Sequence, residues 1–171
     1  MFLYRPSSSL PVESDFDPVG CDLDAQCAWK NFGGLTMAEA YEKFLTVPES
    51  YQEDFMFMGS RAFAYYFPVI DRYLRTVSLP RGDLGDCEAS ILGSAITNQL
   101  HPGHAPIPAS LLREIESLHA FVTQNITRYA ATPKDQQRIR REWKHVAAAL
   151  LKHRGGETDA AAPAPHRTRA K

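Results

Sequence analysis

The stretch from Arg61 to Val77 constrains the fold more than any other part of the chain. Phe63, Phe67, Ile70, Leu74 and Val77 recur at spacings of four, three, four and three. That is the period of one face of an α-helix and not the alternation of a strand. A second apolar row, Ala62, Tyr66, Val69 and Tyr73, lies beside the first. Two adjacent rows describe a helix buried over much of its circumference, so other elements must cover it on several sides. Pro68 sits inside this helix. It removes a backbone donor and crowds the carbonyl four residues back, which predicts a kink, with a break as the alternative.

The remaining elements also read as helices. Asp22 can cap a short helix that ends at Asn31-Phe32-Gly33-Gly34. Thr36-Met37-Ala38-Glu39 has the form of a capping box. It opens a helix to about Thr46 whose inner face would carry Met37, Tyr41, Phe44 and Leu45. Glu49 to Met58 reads as one further short helix, closed by Gly59, and Ser60 can cap the next. Leu79-Pro80-Arg81-Gly82 reads as a turn, after which Asp83 or Asp86 can cap a helix to Leu100 with Cys87, Ile91 and Ala95 inside. Ser110 opens a helix through Leu111, Ile115, Leu118, Val122, Ile126 and Tyr129. Thr132-Pro133 starts the last one, lined by Ile139, Trp143, Val146 and Leu150. No run alternates as a strand would. The expected fold is all-α: a single-domain array of about six or seven helices, the last two forming an antiparallel hairpin. Residues 1–20 read as an irregular arm whose Phe2, Leu3, Tyr4 and Phe16 can dock on the body, 21–154 as the helical domain, and 155–171 as a disordered tail.

A chain of 171 residues, 44% hydrophobic, can bury a sizeable core. No segment is apolar for long enough to span a membrane, and the start lacks a secretory pattern, so a cytosolic location is expected. Three cysteines, Cys21, Cys27 and Cys87, do not suggest a disulfide framework. Cys27 and Cys87 fall in apolar patterns and read as buried thiols.

Charge is distributed unevenly. Residues 1–60 carry a net of −7, residues 61–130 a net of zero, and residues 131–171 a net of +6. The simplest expectation is that the two ends lie close together and neutralise one another.

Signatures of catalysis are missing: there is no phosphate loop, no metalloprotease helix and no nucleophile elbow. His101 and His104 flank Pro102-Gly103, with His119 further on, but no carboxylate falls between Glu88 and Glu114, so neither a metal nor another cofactor is expected. The densest feature is residues 51–73, which hold eight of the eighteen aromatics. Tyr65, Tyr66 and Phe67 point in three successive directions, so at least one should reach the surface or a groove. Glu49, Glu53 and Asp54 sit among these rings. An aromatic cluster rimmed by carboxylates suits a basic protein and repels nucleic acid. Glu53 and Asp54 point about 100° apart on a helix and do not make a catalytic pair.

Trp29-Lys30-Asn31-Phe32-Gly33-Gly34-Leu35-Thr36, then Tyr51 to Gly59 and Ala62 to Pro68, resemble segments of small bacterial helical proteins without assigned activity. In size and in its acid-rich, aromatic-rich half the chain is similar to immunity proteins of bacterial toxin systems. The resemblance implies a protein partner and no catalytic residue. The expected function is therefore a non-enzymatic protein-binding module, of immunity-protein type, that occludes a basic toxin domain. Its expected contact residues are Glu49, Tyr51, Glu53, Asp54 and Tyr65. The alternatives are an enzyme with a polar cleft near Pro68, using Tyr65, Tyr66, Asp71 and Arg72, and a nucleic-acid adaptor using the basic residues 134–171.

Overall fold

The computed structural model describes residues 9–77 and 88–160, with side chains to Arg154 in the last helix. In chain order it forms α1 (Glu13–Phe16), α2 (Leu23–Phe32), α3 (Met37–Thr46), α4 (Pro48–Tyr51), α5 (Asp54–Phe57), α6 (Ser60–Thr76), α7 (Glu88–Gln99), α8 (Ala109–Gln124), a 3-10 turn (Ile126–Arg128) and α9 (Pro133–Ala160). Six of these helices have ten residues or more, and no strand occurs among the described residues. No described helix is long and apolar enough to cross a membrane. Phe2, Leu3, Tyr4, the 79–82 turn, Asp83, Asp86, Cys87 and residues 161–171 lie outside the described residues.

Helix starts follow the local chemistry. The Asp22 carboxylate accepts from the Asp24 and Ala25 amides at 2.9 and 3.2 Å. The Thr36 hydroxyl accepts from the Glu39 amide while the Glu39 carboxylate accepts from the Thr36 amide at 2.8 Å. Thr132 caps α9 ahead of Pro133 through the Asp135 amide. Helix α6 runs through Pro68 without a break, and both of its apolar rows are buried up to Leu74.

Several expectations need correction. The 49–58 helix is two single turns, because the Met56 amide bonds back to Glu53 at i−3 and interrupts the ladder. The arm is not wholly irregular: it holds α1, whose Phe16 is fully buried. Helix α6 begins at Ser60 with Gly59 as its cap, so Ser60 does not cap it, and α8 begins at Ala109, one residue before Ser110. The 110–129 helix ends at Gln124 and a separate 3-10 turn follows, which lengthens the α8–α9 connection. Helix α9 continues to Ala160, past the expected start of the tail. Of the four residues expected on the inner face of α3, Tyr41 and Phe44 are buried and Met37 half-buried, but Leu45 is exposed.

The helices stack in layers. Helix α9 lies on α7 and α8, α6 on α7 and α8, and α1, α2, α3 and α5 on one another and on α6 and α7. The α7–α9 crossing is close because Gly93 has no side chain: a Cβ there would stand 3.0 Å from the Trp143 indole nitrogen. That nitrogen donates to the Ala89 carbonyl at 2.7 Å. Helices α8 and α9 form the hairpin, tied by Arg154 to Glu116 at 2.6 Å.

This layering separates the charges that were expected to neutralise one another. The acidic helices α1–α4 gather on the α5–α6 side, and basic α9 packs on α7 and α8. The ion pairs of Arg138, Arg141 and Arg154 run to Asp135, Glu142 and Glu116, all within α8 and α9.

Gly59 holds the first element in place. Its amide donates to the Phe16 carbonyl at 2.8 Å, and a Cβ would come within 2.3 Å of the Asp15 carbonyl oxygen. Gly59→Ala is expected to cost about 2 kcal/mol in urea unfolding, and Gly103→Ala, beside a movable His101 side chain, less than about 0.5 kcal/mol. Equal losses would mean that α1 does not bear on that position.

Candidate functional site

Most of the rings in the 51–73 cluster face inward. Phe55, Phe63, Tyr66 and Phe67 are fully buried and Tyr73 nearly so. Nine rings form one connected edge-to-face network: Trp29 meets Phe16, Phe16 meets Tyr66, and Tyr66 meets Tyr65 and Phe32. Phe32 also meets Tyr51 and Phe55, and Phe55 continues through Phe44 to Tyr73. Such contacts favour tilted, edge-on rings and add to the area each ring buries. Of Tyr65, Tyr66 and Phe67, only Tyr65 stays half-exposed.

The five sequence-chosen contact residues do not share one surface. Glu49 and Glu53 are exposed. Tyr51 is half-buried, with its ring on Phe32 and the Lys43 ammonium 5.1 Å from its centroid. Asp54 turns inward and is 8% exposed, accepting from the Asn31 amide at 2.8 Å. Lys43 donates to the Asn31 carbonyl at 2.6 Å. Asn31, Lys43 and Asp54 thus form an internal polar cluster between α2, α3 and α5. Tyr65 lies apart, lining a cavity of about 260 Å³ with Ser9, Pro11, Arg61, Pro106 and Pro108.

Near Pro68 a second cavity of about 430 Å³ opens between α3 and α6. Asp71 and Arg72 line it, together with Met37, Tyr41 and Val69. Asp71 is fully buried, and Arg75 Nε donates to both of its oxygens at 2.9 and 3.0 Å. The Arg72 guanidinium lies 3.9 Å from the Tyr41 ring centroid. The Tyr66 hydroxyl is elsewhere, within 2.6 and 2.8 Å of the Phe32 and Leu35 carbonyls. The four groups considered for catalysis therefore divide among three places.

Histidines and cysteines do not assemble either. The His101 and His104 rings lie 6.4 Å apart, while His119 faces Trp143, where burial lowers its pKa. No group of three His, Cys, Asp or Glu among the described residues could hold a metal ion. Cys21 and Cys27 are free and exposed. Cys27 is not buried because α2 turns Ala25, Ala28 and Phe32 inward and leaves Cys27 outside.

Sequence reasoning missed the α3–α4 corner. Leu45 and Val47 are 41% and 38% exposed there, with exposed Glu42 three residues before Leu45 and exposed Glu49 two residues after Val47, and Glu53 is exposed further on. Glu42 and Leu45 are three apart on α3 and share a face. An apolar centre with a carboxylate rim is the usual anatomy of a protein-docking surface. Comparison with models of known families, with curated proteins and with solved structures finds no match.

Asp54 makes folding pH-dependent. Burial raises its pKa to about 6, against the lowering influence of Asn31 and Lys43. The folded chain therefore holds a proton at Asp54 that the unfolded chain, with an ordinary carboxyl near 3.9, has lost. This contribution is fully present below about pH 4 and is lost as pH rises through about 6. Asp54→Asn should therefore gain on the wild type, by on the order of 1–2 kcal/mol, between pH 4 and pH 7 in urea unfolding. A gap that does not change with pH would place the carboxyl in water.

Proposed function

We propose that the chain is a non-enzymatic protein-binding module that docks a basic partner on its α3–α4 corner. The observation that supports it is the exposure of Leu45 and Val47, flanked in the chain by the exposed carboxylates Glu42 and Glu49, with Glu53 also exposed. The rim accelerates encounter with a positive surface, and the two aliphatic side chains supply burial once contact is made. Glu49 and Glu53 stay in the proposed contact set as exposed carboxylates. Tyr51 supports the corner from beneath through Phe32 and Lys43. Asp54 and Tyr65 drop out of the contact surface.

A binding mode of this kind matches occlusion, as an immunity protein would practise it on a basic toxin domain. It requires no group to change its bonding, which agrees with the separate engagement of Tyr66 and Asp71 in internal contacts. Immobilised wild type is expected to capture a basic protein from its native cell. The Glu49→Lys/Glu53→Lys variant should bind that protein with an association rate at least about tenfold slower at low salt. Leu45→Asp should act mainly on dissociation. No capture, or equal rates for wild type and the double variant with its helical circular dichroism intact, would defeat this reading.

A further inference from the structure

Helix α9 carries a second surface of opposite character. Lys134, Arg138, Arg141, His145 and Lys152 follow one another at spacings of four, three, four and seven, the last gap bridged by Ala148. These spacings keep one helix face, and all five side chains are exposed or, for His145, likewise open to solvent. The opposite face is the buried row of Ile139, Trp143, Val146 and Leu150. Arg140 and Lys144 flank the cationic row and are exposed. Among the residues whose side chains are described, no carboxylate lies within ion-pair distance of Lys134, Arg140, Lys144 or Lys152. Of the four acids of α9, Asp135 and Glu142 are half-buried at its flank, Glu142 also accepting from Ser94 of α7, and Glu157 and Asp159 come after Arg154, beyond the row. At ~1.5 Å per residue the row is about 27 Å long.

We propose that this face of α9 docks the phosphodiester backbone of nucleic acid without reading its sequence. A backbone presents one phosphate per ~3.4 Å of axis on each strand, so the row spans about eight base-pair steps. A line of cations along a straight helix complements a line of anions. The carboxylates of a second copy's acidic side do not offer such a line, since they are spread over four short helices. A membrane-surface helix would have to sink its apolar face, and here that face is taken by α7 and α8. The row's one ring is His145 and its other members are lysines and arginines, so binding rests mainly on charge. The sequence beyond Ala160 adds Arg167, Arg169 and Lys171 and no carboxylate.

The test is fluorescence anisotropy of a labelled mixed-sequence duplex of about 20 base pairs with the full chain, from ~50 to ~200 mM salt. Four neutralised phosphates predict a slope near −3.6 in log K against log salt, about a hundredfold loss across that range. The variant Lys134→Gln/Lys144→Gln/Lys152→Gln should lose close to three phosphate contacts and flatten the slope accordingly, with unchanged helical circular dichroism. Shuffling the duplex sequence should leave the affinity unchanged. The proposal is overturned by no binding at ~50 mM salt or by an unaltered slope in the triple variant. It is equally overturned by preferred binding to phosphatidylserine vesicles, or by low-salt self-association that the duplex does not displace.

Discussion

The contact on which most of the architecture depends is made by Tyr66. Its ring touches Phe16, Phe32 and Tyr65, joining three elements, and its hydroxyl meets the last carbonyl of α2 at Phe32 and that of Leu35 in the turn that follows. A helix leaves its final four carbonyls without partners. A fold assembled from many short helices multiplies such ends, and burying one unpaired costs roughly 1–3 kcal/mol. Side chains from the longer helices and the turns repeatedly meet that need. Gln99 of α7 donates its amide to the Phe55 and Met58 carbonyls around α5. Tyr129 and Arg128 serve Leu74, Arg75 and Val77 at the end of α6. His153 of α9 meets the Leu100 carbonyl beyond α7. Each bond adds little alone, yet together they fix where the short helices stop and how they lie on the long ones.

This dependence explains which parts of the fold could be read from residues. The two rows of α6, the Thr36–Glu39 box and the inward row of α9 are set by neighbours three and four apart, and the sequence displays them directly. The end of α5 is held by Gln99 and Asn98, more than forty residues downstream, which take the Phe55, Met56 and Met58 carbonyls. Helix α1 is set by Gly59, again far along the chain. Nothing local announces either one. Leu45 and Phe44 both suit the apolar period at the end of α3, and only the Phe55 and Tyr73 rings decide that Phe44 turns inward.

The candidate site divides in the same way. Glu49 and Glu53 were legible because a charged side chain on a short surface helix has little reason to bury. Asp54 was not, because its partners Asn31 and Lys43 come from two other helices. The anchor of the proposed docking corner was also hidden. The sequence favours rings as anchors, but this chain uses its rings to connect six helices and leaves aliphatic side chains at the corner.

The separation of charge has a consequence for how the two proposed surfaces can coexist. Interhelical distances of 8–10 Å place α9 and the acidic helices about two layers apart, well beyond the ~8 Å reach of a charge in physiological salt. Neither surface then weakens the other by long-range neutralisation, even though the net charge is only −1. They differ in what holds a partner after encounter. The α3–α4 corner has Leu45 and Val47 to bury, so its affinity has a component that salt does not remove. The α9 row has no apolar group at its centre larger than Ala148, so attraction there lasts only as long as counterions are released. The proposed corner thus suits retention of a protein, and the proposed α9 face suits loose, exchangeable binding of a polyanion.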